Sequence, residues 1–262
     1  MTFTLDQVVP WGRSFDEYQR MFALTEADLR LNIVGCGDGP AGFNAEATRR
    51  GARVVSCDPL YGLEATQIRD RIAATYDDVL DQTRRNPEEF VWDTISSVDE
   101  LGRVRMAAMQ EFLDDYVPGK VQGRYVDAEL PTLPFSDASF DLALCSHFLF
   151  LYTSQLGEAF HRSAIEEMCR VAAEVRVFPL LALGGSPSLF VDRAVDDLRH
   201  SGHDVSIERV PYEFVRGANQ MMRIRRVGST RSAAPASARE EAELALRATS
   251  QFQLQIGPGH TV

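Results

Sequence analysis

From Leu31 to about Arg226, short apolar runs alternate with longer segments whose apolar residues recur every three or four positions. That is the pattern of an α/β protein built on a mostly parallel sheet. The apolar runs predict seven strands: Leu31–Val34, Arg53–Cys57, Arg124–Val126, Phe140–Cys145, Glu174–Leu181, Asp204–Arg209 and Met221–Arg226. Helical spacing predicts helices over Gly42–Arg50, Gly157–Val171 and Pro187–Ser201.

Two regions leave this rhythm. Leu63 to about Pro118 has helical character throughout and no strand candidate. It is roughly twice as long as one strand-to-strand crossover needs, which points to an inserted helical subdomain or to extra helices packed outside the sheet. From Val227 the composition turns to Ser, Ala and Thr, with a helical pattern at Arg239–Gln255. The expected organisation is a main domain over 1–226 and an appended tail over 227–262, partly disordered with a short helix. The N-terminal segment Phe3–Leu24, with Trp11, Phe15, Tyr18 and Phe22, reads as a helix covering one end of the sheet.

Composition narrows the function. The 262 residues carry a formal charge of −11, so the average field repels phosphate backbones and disfavours nucleic acid as a partner. No apolar run reaches the roughly 18 residues of a membrane helix, and Met1–Arg13 lacks the layout of a secretory signal. A cytoplasmic protein with a small-molecule partner is expected; the oligomeric state is not legible. Cys36, Cys57, Cys145 and Cys169 form no Cys-x-x-Cys pair, so neither a disulfide framework nor a zinc site is expected. Lys120 is the only lysine, which excludes a Walker loop and most lysine-nucleophile mechanisms.

The densest chemical signal is Leu31-Asn32-Ile33-Val34-Gly35-Cys36-Gly37-Asp38-Gly39-Pro40-Ala41-Gly42-Phe43, a strand running into a glycine-rich turn and then a helix. Glycines let a ligand approach the backbone, and a helix N-terminus offers unpaired N–H groups. Asp58, ending the second strand, is placed to accept both hydroxyls of an adenosine ribose. A purely structural role, with tight glycines and Asp58 capping the next segment, competes with this. Two glycine registers are available. Gly37-x-Gly39-x-x-Gly42 matches a flavin-type fingerprint, but needs the strand to run through Gly35 and Cys36. Gly35-x-Gly37-x-Gly39 starts straight after Val34.

Tyr125-Val126-Asp127-Ala128-Glu129-Leu130-Pro131, followed by Leu133-Pro134-Phe135-Ser136-Asp137-Ala138-Ser139-Phe140-Asp141, decides between them. Together with the glycine loop and Asp58, it resembles the class I S-adenosylmethionine-dependent methyltransferases. The resemblance implies a Rossmann-like, doubly wound seven-stranded sheet with the helical insertion after the second strand. It implies that Gly35, Cys36, Gly37 and Gly39 wrap the methionine part of S-adenosylmethionine, that Asp58 holds the ribose, and that Asp127 and the Ala128 N–H recognise the adenine edge. Cys145, Ser146 and His147 would lie near the sulfonium. The family's acidic residue two positions before the first glycine is Ile33 here, leaving Asp38 or the N-terminal segment to meet the methionine amino group.

Methyl transfer needs alignment more than acid–base groups. His147 is the candidate base where the acceptor must lose a proton. His161, His200 and His203 read as surface or structural. Phe148, Phe150, Tyr152, Tyr61, Trp11 and Phe15 read as core or as an apolar acceptor pocket. The Asn-Pro-Pro-Tyr/Phe signature of many base- and amide-methylating enzymes is absent. The expected function is therefore methyl transfer to a small molecule, with a non-catalytic S-adenosylmethionine- or S-adenosylhomocysteine-binding module next, and a flavin or nicotinamide oxidoreductase third.

Overall fold

The computed structural model describes residues 9–226, so the expected tail over 227–262 and the first residues of the N-terminal segment lie outside it. Strands β1 (Asn32–Cys36), β2 (Arg53–Cys57), β3 (Tyr125–Val126), β4 (Phe140–Ser146), β5 (Ala172–Phe178), β6 (His203–Arg209) and β7 (Gln220–Arg226) form one sheet in the order β3-β2-β1-β4-β5-β7-β6. β1 pairs in parallel with β2 and β4, β2 with β3, and β4 with β5, whereas β7 runs antiparallel between β5 and β6. This is the doubly wound, Rossmann-like sheet of the class I methyltransferase fold. β5 starts at Ala172 rather than Glu174 and stops at Phe178 rather than Leu181. Pro179 follows, and a proline has no N–H for the ladder.

The helices are α1 (Phe15–Met21), α2 (Phe43–Arg49), α3 (Ala65–Arg85), α4 (Val98–Val121), α5 (Glu158–Val171) and α6 (Val191–His200). Of the helix expected over Phe3–Leu24, the described part is helical only from Phe15 to Met21: Ser14 caps it, exchanging hydrogen bonds with Glu17, so Trp11 precedes the helix. α6 likewise starts at Val191 rather than Pro187.

Alternation along the central strands builds two cores. Ile33, Leu142 and Leu144 pack with Tyr18, Phe22 and Phe43 on one face, while Val34, Ala143 and Cys145 pack with Ile165 and Met168 on the other. Successive strand side chains point to opposite faces, so one sheet serves both layers.

Residues 63–118 contain α3 and most of α4 and no strand. α4 lies against α2 and β3, where a crossover helix belongs, and α3 packs on α4. Tyr61, Phe112, Tyr116 and Tyr125 interlock at its C-terminal half. The Tyr116 hydroxyl donates to the carbonyls of Tyr61 and Leu63, each at 2.8 Å, and Lys120 donates to the Tyr61 carbonyl at 2.7 Å, so the only lysine ties a turn in place. No helix among the described residues is long and apolar enough to cross a membrane.

Candidate functional site

The carboxyl ends of β1, β2 and β4 converge, the place where open α/β sheets bind ligands. One expectation is corrected here. β1 does not stop at Val34 but continues through Gly35 and Cys36, with Gly35 paired to Ser56 on one side and Leu144 on the other. The strand thus runs through Gly35 and Cys36 as the flavin-type register requires, and the strand end no longer argues against that register. The strand order does argue against it: β7 is inserted antiparallel between β5 and β6, a departure from the 3-2-1-4-5-6 order of the dinucleotide fold.

The three glycines serve different ends. Gly35 is a strand residue, and a Cβ there would lie 1.8 Å from Asp38 Oδ2, so its missing side chain leaves room for the Asp38 carboxyl group. Gly37 (φ +71°) and Gly39 (φ +54°) occupy the left-handed region and turn the chain. The Gly37 N–H donates to the Cys57 carbonyl at 2.8 Å, anchoring the turn to β2.

Asp38 folds back into the structure. It accepts from the Tyr18 hydroxyl at 2.9 Å and from Ser56 Oγ at 2.6 Å, and burial pushes its carboxyl up to about 6. Asp58 accepts from the Gly39 N–H through Oδ2 and from the Leu60 N–H through Oδ1, both at 2.8 Å. It thus caps the turn over Pro59–Gly62 and also fixes the glycine loop, while each oxygen keeps a second lone pair. Burial raises its pKa as well, with Glu129 and Asp127 adding to the rise.

These groups border a cavity of about 300 Å³ lined by Gly37, Gly39, Asp58, Ser146 and His147 of the expected site. Gly35 and Cys36 do not reach it, and Cys36 is wholly buried in the core between β1 and its neighbours. Asp127 and Ala128 also stand outside the lining; Asp127 is exposed and lies against Gly62, where a Cβ would come within 2.6 Å of its Oδ2. The aromatic candidates divide: Trp11, Phe148 and Tyr152 line the cavity, whereas Phe15, Tyr61 and Phe150 belong to the core.

His147 sits at φ +51°, its Nδ1 3.0 Å from Ser146 Oγ and its N–H bonded to the Phe178 carbonyl at 2.7 Å. Burial, then the charges of Arg13 and Arg105, hold its pKa well below the usual value for an imidazole. It is neutral at pH 7. His161 is structural, its ring nitrogens each 3.0 Å from the carbonyls of Gly157 and Leu149.

The sequence reading missed Arg13, Tyr18 and Arg105, all of which line the cavity. Arg105 left a signal: a lone charge within the apolar stripe Leu101, Ala108, Met109 and Phe112 of α4, all of them buried. Glu17 answers that charge, binding Arg105 Nη1 at 2.7 and 2.6 Å, and accepts from the Tyr212 hydroxyl at 2.9 Å. Burial works against the Glu17 charge, but Arg105 and Arg13 outweigh it and hold the carboxyl at about 2. The cavity is therefore acidic at the glycine loop and basic at Arg13 and Arg105. Among the described residues no group of His, Cys, Asp and Glu is arranged to hold a metal.

Fold and site together define a class: an α/β protein with the class I methyltransferase strand order and a ligand-sized cavity at its glycine loop. No protein-family model matches the chain. The chain belongs to the family of the uncharacterized protein MJ0045 of Methanocaldococcus jannaschii, to which it is 33% identical over 223 residues, covering 85% of this chain and 98% of that protein. Among solved structures it is similar to magnesium protoporphyrin IX methyltransferase of Synechocystis PCC 6803 with bound S-adenosylmethionine (11% identity, 81% of this chain and 90% of that one, TM-score 0.41). It is also similar to 1,6-didemethyltoxoflavin-N1-methyltransferase of Burkholderia thailandensis (13%, 80% and 79%, 0.42). These similarities are distant, and the strand order itself carries the fold class.

Proposed function

We propose that this protein is an S-adenosylmethionine-dependent methyltransferase acting on a small molecule. The observation that supports it most is the acidic glycine-loop end of the cavity, where Asp38 and Asp58 face the mouth of a class I sheet. Two buried carboxyl groups raised in pKa suit a ligand that brings positive charge, as the ammonium and sulfonium of this cofactor do. Asp58 offers its remaining lone pairs to the ribose hydroxyls, and Asp127 with the Ala128 N–H would meet the adenine at the rim. Asp38, held by Tyr18, stands in for the acid that Ile33 replaces; Ile33 itself is fully buried core.

The bound cofactor supplies a methyl group on a positively charged sulfur, open to in-line displacement. The protein's part is to orient the acceptor and exclude water. Ser146 and the strained His147 turn close the end of β4, and Phe148, Leu151 and Tyr152 form an apolar wall. In the tautomer whose Nδ1–H donates to Ser146 Oγ, His147 keeps Nε2 unprotonated and able to take a proton from an acceptor hydroxyl or amine. Its low pKa keeps it unprotonated and makes it a weak base, suited to an acceptor that loses its proton late.

Isothermal titration with S-adenosylmethionine and S-adenosylhomocysteine, with NAD and FAD as controls, tests the reading. Micromolar binding of the sulfur ligands and silence from the controls is expected. Binding of neither by cofactor-stripped protein overturns it.

A further inference from the structure

A nucleoside held by Asp58, Asp127 and Ala128, as proposed above, leaves Arg13 and Arg105 without a ligand group. Arg105 is fully buried, and its Nε is buried with no acceptor among the described residues. Arg13 gives Nη1 to the Trp11 carbonyl at 2.8 Å, its Nε is likewise buried without an acceptor, and it makes no ion pair among the described residues. Glu17 has nothing left to offer it. That carboxylate already receives Arg105 on both oxygens, the Tyr212 hydroxyl, and the N–H and hydroxyl of Ser14, which fills its roughly four lone-pair sites. Arg13, Arg105 and Glu17 therefore sum to one net positive charge beside a neutral His147.

Around these guanidiniums the lining is mostly apolar, with Arg71, Thr83 and Glu89 as the polar exceptions. Trp11, Phe90, Leu101 and Phe214 contribute, with the Arg105 guanidinium 5.9 Å from the Phe214 ring centre. Buried N–H donors with spare positive charge, set in an aromatic wall, match a ligand that is apolar except for one anionic group with planar oxygens.

We propose that Arg13 and Arg105 form a carboxylate subsite, and that the methyl acceptor is an apolar small molecule carrying one carboxylate. The inference rests on the methyltransferase reading for what is transferred, and on the geometry alone for the carboxylate. The methionine carboxylate of the cofactor has the same chemistry, so the experiment must separate the two sources.

The full chain, saturated with S-adenosylhomocysteine, is titrated with benzoate, 3-phenylpropionate and decanoate, each beside its uncharged amide. At least one acid is expected to bind about tenfold more tightly than its amide, as a charge-assisted pair requires. Arg13→Gln is expected to abolish that preference and Arg13→Lys to restore part of it, with S-adenosylhomocysteine affinity unchanged in both. Equal binding of all acids and amides, or a preference that survives Arg13→Gln, overturns the proposal. So does an Arg13→Gln protein that loses S-adenosylhomocysteine but still binds its decarboxylated analogue, since Arg13 then holds the cofactor. If the wild type binds no S-adenosylhomocysteine, the methyltransferase reading fails by itself, and the acid-over-amide preference is read on the unloaded protein.

Discussion

Asp38→Asn isolates one buried charge. Asp38 is 8% exposed, and burial raises its pKa from an ordinary 3.8 to about 6. Between those values the folded state holds a proton that the unfolded state has lost, so stability falls as pH rises through this window and is level above it. The penalty above pH 6 is about 3 kcal/mol, from 2.2 pKa units at ~1.36 kcal/mol each. About 2 kcal/mol of it develops between about pH 4 and pH 7.5. Asparagine is near-isosteric and never ionises; its carbonyl accepts from one of the Tyr18 and Ser56 hydroxyls and its amide donates to the other, an offset without pH dependence. Urea unfolding of wild type and variant at both pH values should therefore show the stability difference moving by about 2 kcal/mol in favour of the variant at the higher pH. A difference that stays constant would show that Asp38 is not held above its ordinary pKa.

Three other expectations follow. Glu17→Gln strands the Arg105 charge in the core and should cost about 3–5 kcal/mol in urea unfolding at neutral pH. Because Glu17 is held at about 2, below its ordinary 4.5, that stabilisation is present above pH 4.5 and lost as pH falls through 2, so the two proteins should converge in acid. Gly35→Ala drives a methyl group into the Asp38 carboxylate and should destabilise by about 1–3 kcal/mol, whereas an unaffected melting temperature would mean the strand end relaxes freely. Asp58→Ala and Asp127→Ala should each weaken S-adenosylhomocysteine binding by about 1–3 kcal/mol in calorimetry, and unchanged affinity in both would refute their placement at the nucleoside.

The strands were legible in the sequence because a strand buried on both faces must be a continuous apolar run, as Ile33-Val34 and Leu142-Ala143-Leu144-Cys145 are. The glycine loop and Asp58 were legible because backbone turns with positive φ and strand-end carboxylates depend on local chemistry. Element ends were less so: β1 runs on to Cys36 because its ladder partners Ser56 and Leu144 extend it, and partners 21 and 109 residues from Gly35 leave no local mark. What only the tertiary structure decided is the polar half of the cavity. Arg105 stood out only as a lone charge in an apolar stripe and Arg13 left no mark, until the segment before α1 and α4 placed both on one cavity, with Glu17, 88 residues away along the chain, pairing Arg105. Burial then turned them from solvated charges into groups that must be compensated, since the cost of a buried charge depends on its surroundings in space and not on its neighbours in sequence.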